Sequence, residues 1–153
     1  MEHAQKTFKL SVPSDTENLV MIREFVERTA KRSLISDAHM ERLKLAVNEA
    51  CENVIKHAYG NDKTKELTIH VWFDPSQLVV DVIDSGHRFD PATHKPLSLP
   101  ELVGHKGGMG IRLMQLATDE IISDVDEEGH NRLRLIKRLE NNSTADSDHD
   151  TQR

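Results

Sequence analysis

LKLAVNEACENVIKHAY, residues 43–59, decides the fold. Leu43, Ala46, Val47, Ala50 and Val54 recur at the three-and-four spacing of an amphipathic helix, so one face of the segment is expected to be buried. Glu49, Asn53 and His57 follow at intervals of four. At roughly 100° per residue that spacing stacks them in a shallow stripe beside the apolar face. A carboxylate, a carboxamide and an imidazole can then look into one cleft. Taken alone, such a stripe reads as a solvated helix edge. The segments downstream give it another meaning.

The flanking sequence alternates strand and helix signals. Phe8, Leu10 and Val12 alternate with Lys9 and Ser11, which predicts a half-buried strand over 7–12, ended by Pro13. Ser14 or Asp15 can cap a first helix running to about Arg32, with Leu19, Ile22, Phe25, Val26 and Ala30 as its buried stripe. Ser36 or Asp37 can cap the second helix, which Gly60 and Asn61 stop. Leu67–Phe73 alternates as a sheet strand should, Asp74, Pro75 and Ser76 make a turn, and Leu78–Ile83 reads as the second strand of an antiparallel hairpin. From Ser85 to Lys106 there are three prolines and little periodicity, which predicts a long mobile lid. Gly107, Gly108 and Gly110 precede a short helix expected from about Ile111 to Thr118. Residues 121–125 and 132–139 then form a closing hairpin around Glu127 to Gly129.

Length and composition bound the possibilities. The 153 residues suit one domain with a real core, expected over 1–139. From Glu140 onward four acids stand against one arginine, and the tail NNSTADSDHDTQR has no apolar residue larger than alanine, so 140–153 is expected to be a disordered acidic tail. The net charge of −6 excludes a global basic field for direct nucleic-acid binding. No apolar run approaches the roughly 20 residues that cross a bilayer, and MEHAQKTFKL lacks the apolar core of a signal peptide, so a cytoplasmic protein with no membrane partner is expected. Cys51 is the single cysteine, which excludes an intramolecular disulfide and a multi-cysteine zinc site. His87, His94 and His105 lack metal-ligand spacing and read as solvated loop residues.

Three features gain meaning together: Glu49-x-x-x-Asn53 on a helix, Asp84-x-Gly86 after a strand, and Gly107-Gly108-x-Gly110 at the start of a helix. A strand-end aspartate is commonly a turn former, and glycines at a helix start commonly serve only the turn. Glycines there also let phosphate oxygens approach backbone N–H groups at the positive end of a helix. A P-loop is absent, and Gly108-x-Gly110 lacks the third glycine of a dinucleotide fingerprint.

In this order, HAY after E-x-x-x-N, then DSGHRFDP, then GGMGIRLM resemble the motifs of the GHKL ATPases. The short form resembles more narrowly the bacterial anti-sigma factor serine kinases, over roughly Phe8 to Leu139. The resemblance implies an α+β, two-layer Bergerat fold: a mixed, mainly antiparallel sheet packed on one side by helices, with an ATP lid. It implies ATP and Mg²⁺ as cofactors, Glu49 as general base, Asn53 as the holder of Mg²⁺, Asp84 as acceptor from the adenine amino group, and Gly86 as the point of close approach to the base. His57 reads either as a phosphate or lid contact or as a histidine that packs at the helix end.

The family often has a second glycine where Arg88 stands, and a threonine in the last hairpin where GHNRLRL offers Asn131 as a stand-in. The implied function is a serine protein kinase that sequesters a sigma factor and phosphorylates a STAS-type anti-anti-sigma factor, as a homodimer. The alternative is a nucleotide-dependent binding module of the same fold without kinase turnover. Glu49 favours the kinase, because a pure binder needs no base beside the metal ligand. A sensor histidine kinase fits less well, since no dimerising helix with a phosphoacceptor histidine fits before residue 43.

Overall fold

A computed structural model describes residues 6–86, 89–90, 95–96 and 108–139. Strand β1 (Phe8–Pro13) leads through a 3₁₀ turn at Thr16–Asn18 into helix α1 (Leu19–Ala30). Asp15 caps that turn, its carboxylate accepting from the Glu17 N–H at 3.0 Å, so the α-helix begins later than the capping signals predict and ends at Ala30. Helix α2 (Asp37–Asn53) starts on Ser36, whose hydroxyl accepts from the His39 N–H at 3.2 Å. It continues as a π-helical turn, Val54–Ala58, and stops where Gly60 and Asn61 take φ of 57° and 64°.

The remaining elements are β2 (Glu66–Asp74), β3 (Gln77–Asp84), the short pair β4 (Phe89–Asp90) and β5 (Lys95–Pro96), helix α3 (Gly108–Ala117), β6 (Glu120–Val125) and β7 (Asn131–Arg138). The main sheet runs β1-β2-β3-β7-β6, and every pairing in it is antiparallel. The mixed sheet expected from the resemblance is thus wholly antiparallel among the described residues, as hairpin connections between β2 and β3 and between β6 and β7 require for those pairs. The β4–β5 pair interrupts the stretch expected to be an unstructured lid. The other lid residues, 87–88, 91–94 and 97–106, lie outside the described residues, as does the 140–153 tail.

One face of the sheet carries Leu10, Val12, Leu67, Ile69, Val71, Leu78, Val80, Val82, Leu133 and Leu135, which pack with the helices in a single core. The helices contribute Ile22, Val26, Leu43, Ala46, Val47, Ala50 and Val54, all buried as the helical periodicity predicts, together with Met114 of α3, while Phe25 is only partly buried. Each fully buried Leu, Ile or Val contributes about 1.5–3 kcal/mol. The central strand β3 is buried from Leu78 to Asp84 on both faces, which accounts for its continuous apolar run. Cys51 lies in this core with its thiol pKa pushed up by burial, consistent with packing rather than reactivity.

On the opposite face Asp81 is buried and receives a two-pronged bond from Arg134, Nε to Oδ1 at 2.8 Å and Nη2 to Oδ2 at 2.9 Å. No described helix is long and apolar enough to cross a membrane.

Candidate functional site

Helix α2 is the spine of the site. Glu49 is partly buried on its face toward α3, and Asn53, one turn on, is buried with 8% of its surface exposed. The Asn53 Nδ2 atom is enclosed and has no hydrogen-bond partner among the described residues. A buried amide nitrogen without an acceptor is costly, about 1–3 kcal/mol, and such groups mark places where a ligand or ion completes the bonding.

The third residue of the expected stripe behaves differently. The Tyr59 N–H reaches back to the Val54 carbonyl at 2.9 Å, a five-residue step that replaces the α-helical one. Each side chain in the widened turn is rotated relative to its α-helical position. His57 is exposed there, which corrects the reading of a histidine that packs at the helix end. The same turn brings Ala58 against Gly86, where an added Cβ would lie 2.8 Å from the Ala58 Cβ and 2.9 Å from its carbonyl oxygen. Gly86 is therefore a close-approach glycine, although the backbone it admits in this structure is that of α2.

Tyr59, from the HAY motif, was given no role by the sequence and turns out to tie three segments together. Its hydroxyl donates to the Glu66 carbonyl at 2.6 Å and accepts from the Ser85 N–H at 2.8 Å. The signal available in the sequence was an aromatic residue at the helix stop, whose polar end needs a partner when the ring is buried.

Asp84 ends β3 and is 2% exposed. Its Oδ1 accepts from the Gly86 N–H at 2.8 Å, a local turn of the kind that aspartates form at strand ends. It also receives the Asn131 amide at 3.2 Å, and the same amide nitrogen donates to the Gly86 carbonyl at 2.9 Å. Asn131, the residue paired with Asp84 across β3 and β7, thus stands beside the carboxylate.

The glycine-rich segment differs from expectation in one respect. Helix α3 already begins at Gly108, so Gly108 and Gly110 belong to its first turn instead of preceding it, and Gly107 lies outside the described residues. Glycine is a poor helix former, but packing of α3 on α2 outweighs that propensity. Gly110 is buried against the Glu49 side chain, with the position of a Cβ only 2.6 Å from Oε1. The first turn of α3 therefore lies beside Glu49.

The site accordingly has two ends. Asp84, Gly86 and Asn131 lie by the end of α2, and Glu49 with Gly110 lies about nine residues earlier, roughly 13 Å along the helix at 1.5 Å per residue. Asn53 sits between them. Arg88 and the lid histidines 87, 94 and 105 lie outside the described residues. Among the described residues no cluster of three or more His, Cys, Asp or Glu side chains could hold a metal by itself. A cavity of about 340 Å³ between Ser36, His39 and Lys137 contains none of the candidate residues.

Comparison with known proteins places these features in a family. The sequence pattern of the histidine kinase-like ATPase domain matches residues 12–137. The serine-protein kinase RsbW of Bacillus licheniformis is 31% identical over 132 residues, 82% of each chain. That of Bacillus subtilis (strain 168) is 32% identical over 127 residues, 79% of each chain. RsbW of Halalkalibacterium halodurans is 30% identical over 145 residues, 90% of this chain and 86% of its own.

Proposed function

This chain belongs to the histidine kinase-like ATPase domain family, beside the RsbW serine-protein kinases, and from that premise we propose that it is an ATP-dependent serine protein kinase and anti-sigma factor. It sequesters a sigma factor and phosphorylates a STAS-type anti-anti-sigma factor, acting as a homodimer whose ATP-binding domain spans 1–139. The single observation that carries the catalytic part is the pairing on α2 of Glu49, set against the start of α3, with a buried Asn53 one turn away.

In this reading Asp84 accepts from the adenine amino group, Gly86 lets the base lie close to the chain, and the first-turn N–H groups of α3, with Gly107, Gly108 and Gly110, approach the phosphates. His57, exposed on the π turn, is free to reach a phosphate or the lid. The residues fit Mg²⁺. A single amide oxygen from Asn53 is a hard donor, and Mg²⁺ keeps waters and takes its other ligands from phosphate oxygens, so no carboxylate cage is required. The nitrogen of the same amide, without a partner among the described residues, supports a ligand group at this point. When bound, the ion neutralises charge on the phosphate oxygens.

Glu49 takes the proton of the partner's serine hydroxyl as the serine oxygen bonds to the γ-phosphorus. The bond from that phosphorus to the bridging oxygen breaks, and ADP leaves. A nucleotide-gated binding module would need the Asp84 end and the metal ligand but no base beside them.

The test is incubation of the folded protein with γ-labelled ATP, Mg²⁺ and candidate STAS proteins, followed by phosphosite mapping. Label on one partner serine is expected. Binding of ATP without transfer to any of them would favour the binding module, and no ATP binding up to millimolar concentration would overturn the nucleotide reading.

A further inference from the structure

Continued back by four residues, the stripe of Asn53 and Glu49 on helix α2 reaches Leu45. This apolar side chain stands one turn before Glu49 and is 54% exposed. A lone exposed leucine is ordinary on a protein surface, and the meaning of this one comes from where the site puts it.

The site runs along α2. Gly86, beside Asp84, rests on Ala58 past the end of the helix, Asn53 comes next, and Glu49 is the last of the group, with four residues spanning roughly 6 Å. In phosphoryl transfer the attacking oxygen enters roughly in line with the bond that breaks, opposite the leaving group. With the nucleotide base at the Asp84 end, ADP leaves on the Asn53 side, and the serine enters from beyond Glu49, over the turn that carries Leu45. Helix α3 borders the same place. It starts against Glu49 at Gly110 and runs back toward the start of α2. Just past its end, the Asp119 N–H bonds to the Ile136 carbonyl at 2.8 Å, and the next residues of β7, Lys137 and Arg138, line a cavity with Ser36 and His39. Leu116 lies six residues after Gly110, roughly 9 Å along α3. At 72% it is the most exposed large apolar side chain among the described residues.

Resting on the reading that Glu49 takes the proton of a serine hydroxyl on a partner protein, we propose that Leu45 and Leu116 form the docking patch for that protein. The patch favours a phosphoacceptor serine flanked by apolar side chains. The reaction itself fixes the occupant, because a serine on a folded protein reaches Glu49 in line only when the surface around it settles on the adjoining turns of α2 and α3. Neither leucine touches the nucleotide or the transferred proton in this scheme. They set the affinity for the protein substrate and leave the transfer step alone.

The experiment measures steady-state transfer from ATP, with Mg²⁺, to the STAS-type protein that accepts label from wild type, with the concentration of that protein varied. Wild type is compared with Leu45→Asp, Leu116→Asp, Leu45→Met and Leu34→Asp. Leu34 is the control, since it is 68% exposed but precedes α2, at the opposite end of that helix from Asn53. Circular dichroism checks folding and calorimetry checks ATP affinity. Leu45→Asp and Leu116→Asp are each expected to raise KM for the protein about tenfold or more, with kcat and ATP affinity changed less than about threefold. Leu45→Met, which keeps the apolar contact, and Leu34→Asp are expected to stay within about threefold of wild type. Leu45→Ala and Leu116→Ala, with a smaller rise in KM, serve as the measurement where an aspartate variant does not fold.

An unchanged KM in the variants at both positions, an equal rise in Leu34→Asp, or a fall in kcat at unchanged KM overturns the docking patch alone. Absence of transfer by the folded wild type to any STAS-type protein overturns the kinase reading and this inference with it.

Discussion

The Glu49 carboxylate rests directly on Gly110: a Cβ at that glycine would stand 2.6 Å from Oε1, 2.8 Å from Cγ and 3.0 Å from Cδ. Helices α2 and α3 can meet at this distance only because residue 110 has no side chain. Gly110→Ala would gain helix propensity of about 1 kcal/mol and spend it on moving the carboxylate. Unfolding stability is expected to change by no more than about 1 kcal/mol in either direction. Phosphoryl transfer is expected to fall on the order of 10²-fold, because a misplaced catalytic group forfeits orientation. Urea unfolding and single-turnover transfer measure the two effects, and normal transfer in a folded variant would remove Gly110 from the catalytic geometry.

Tyr59 fixes the strand end that carries Asp84 to the end of α2. Tyr59→Phe keeps the ring in the core but removes the hydroxyl, leaving the Ser85 N–H and the Glu66 carbonyl without it. The expected loss is about 1–2 kcal/mol in urea unfolding. ATP affinity should weaken as well, since Ser85 lies between Asp84 and Gly86. A loss of stability with undiminished ATP affinity would mean that Tyr59 supports the fold alone.

Asp81 and Arg134 form an ion pair in which the Asp81 side chain is 3% exposed. Hydrogen bonding to Asp81 raises the Arg134 pKa, so the guanidinium stays charged. Arg134→Ala strands a buried carboxylate and is expected to cost about 3–5 kcal/mol, whereas replacing both residues by leucine should cost far less or nothing. Chemical denaturation of the two variants decides between them. Equal destabilisation would show that the packing of the arginine stem, and not the pairing, matters.

His70 adds a pH dependence on the same face. Burial is the first cause that lowers its pKa from 6.5, with Lys9 acting in the same direction. The unfolded chain therefore takes up the proton before the folded one does. Its contribution to stability is complete above about pH 6.5 and is lost as pH falls through that value toward the lower folded pKa. A flatter stability profile between pH 7 and 5 is expected for His70→Asn. Identical profiles for variant and wild type would contradict the shift.

The layers of this fold were legible because hydrophobic period, capping residues and turn residues agreed along most of the chain. The stripe Leu43, Ala46, Val47, Ala50 and Val54 is buried as read, and the turn at Asp74–Ser76 sets the β2–β3 register. Two features escaped for physical reasons. The π turn at Val54–Ala58 keeps the same residue types as an α-helix and is set by what packs around it, notably Gly86 and the Tyr59 hydroxyl. Asp81 interrupts an apolar strand, and its partner Arg134 lies 53 positions away, a distance no local pattern spans. At the site, Asp84 and Asn131 meet through the pairing of β3 with β7, a contact between residues far apart in sequence that no local pattern shows. Gly108 and Gly110 were found by composition, but their place inside α3 depends on the contact with Glu49.

The central claim, that Glu49 is the base of a phosphoryl transfer, is tested most directly by the single-turnover rate of phosphate transfer to the partner serine in Glu49→Gln at saturating ATP and Mg²⁺. The amide keeps the shape of the carboxylate but does not take up the proton. The rate is expected to fall about 10²- to 10⁴-fold with nucleotide binding retained. Transfer at the wild-type rate in this variant would contradict the account and return Glu49 to the role of a helix-edge carboxylate.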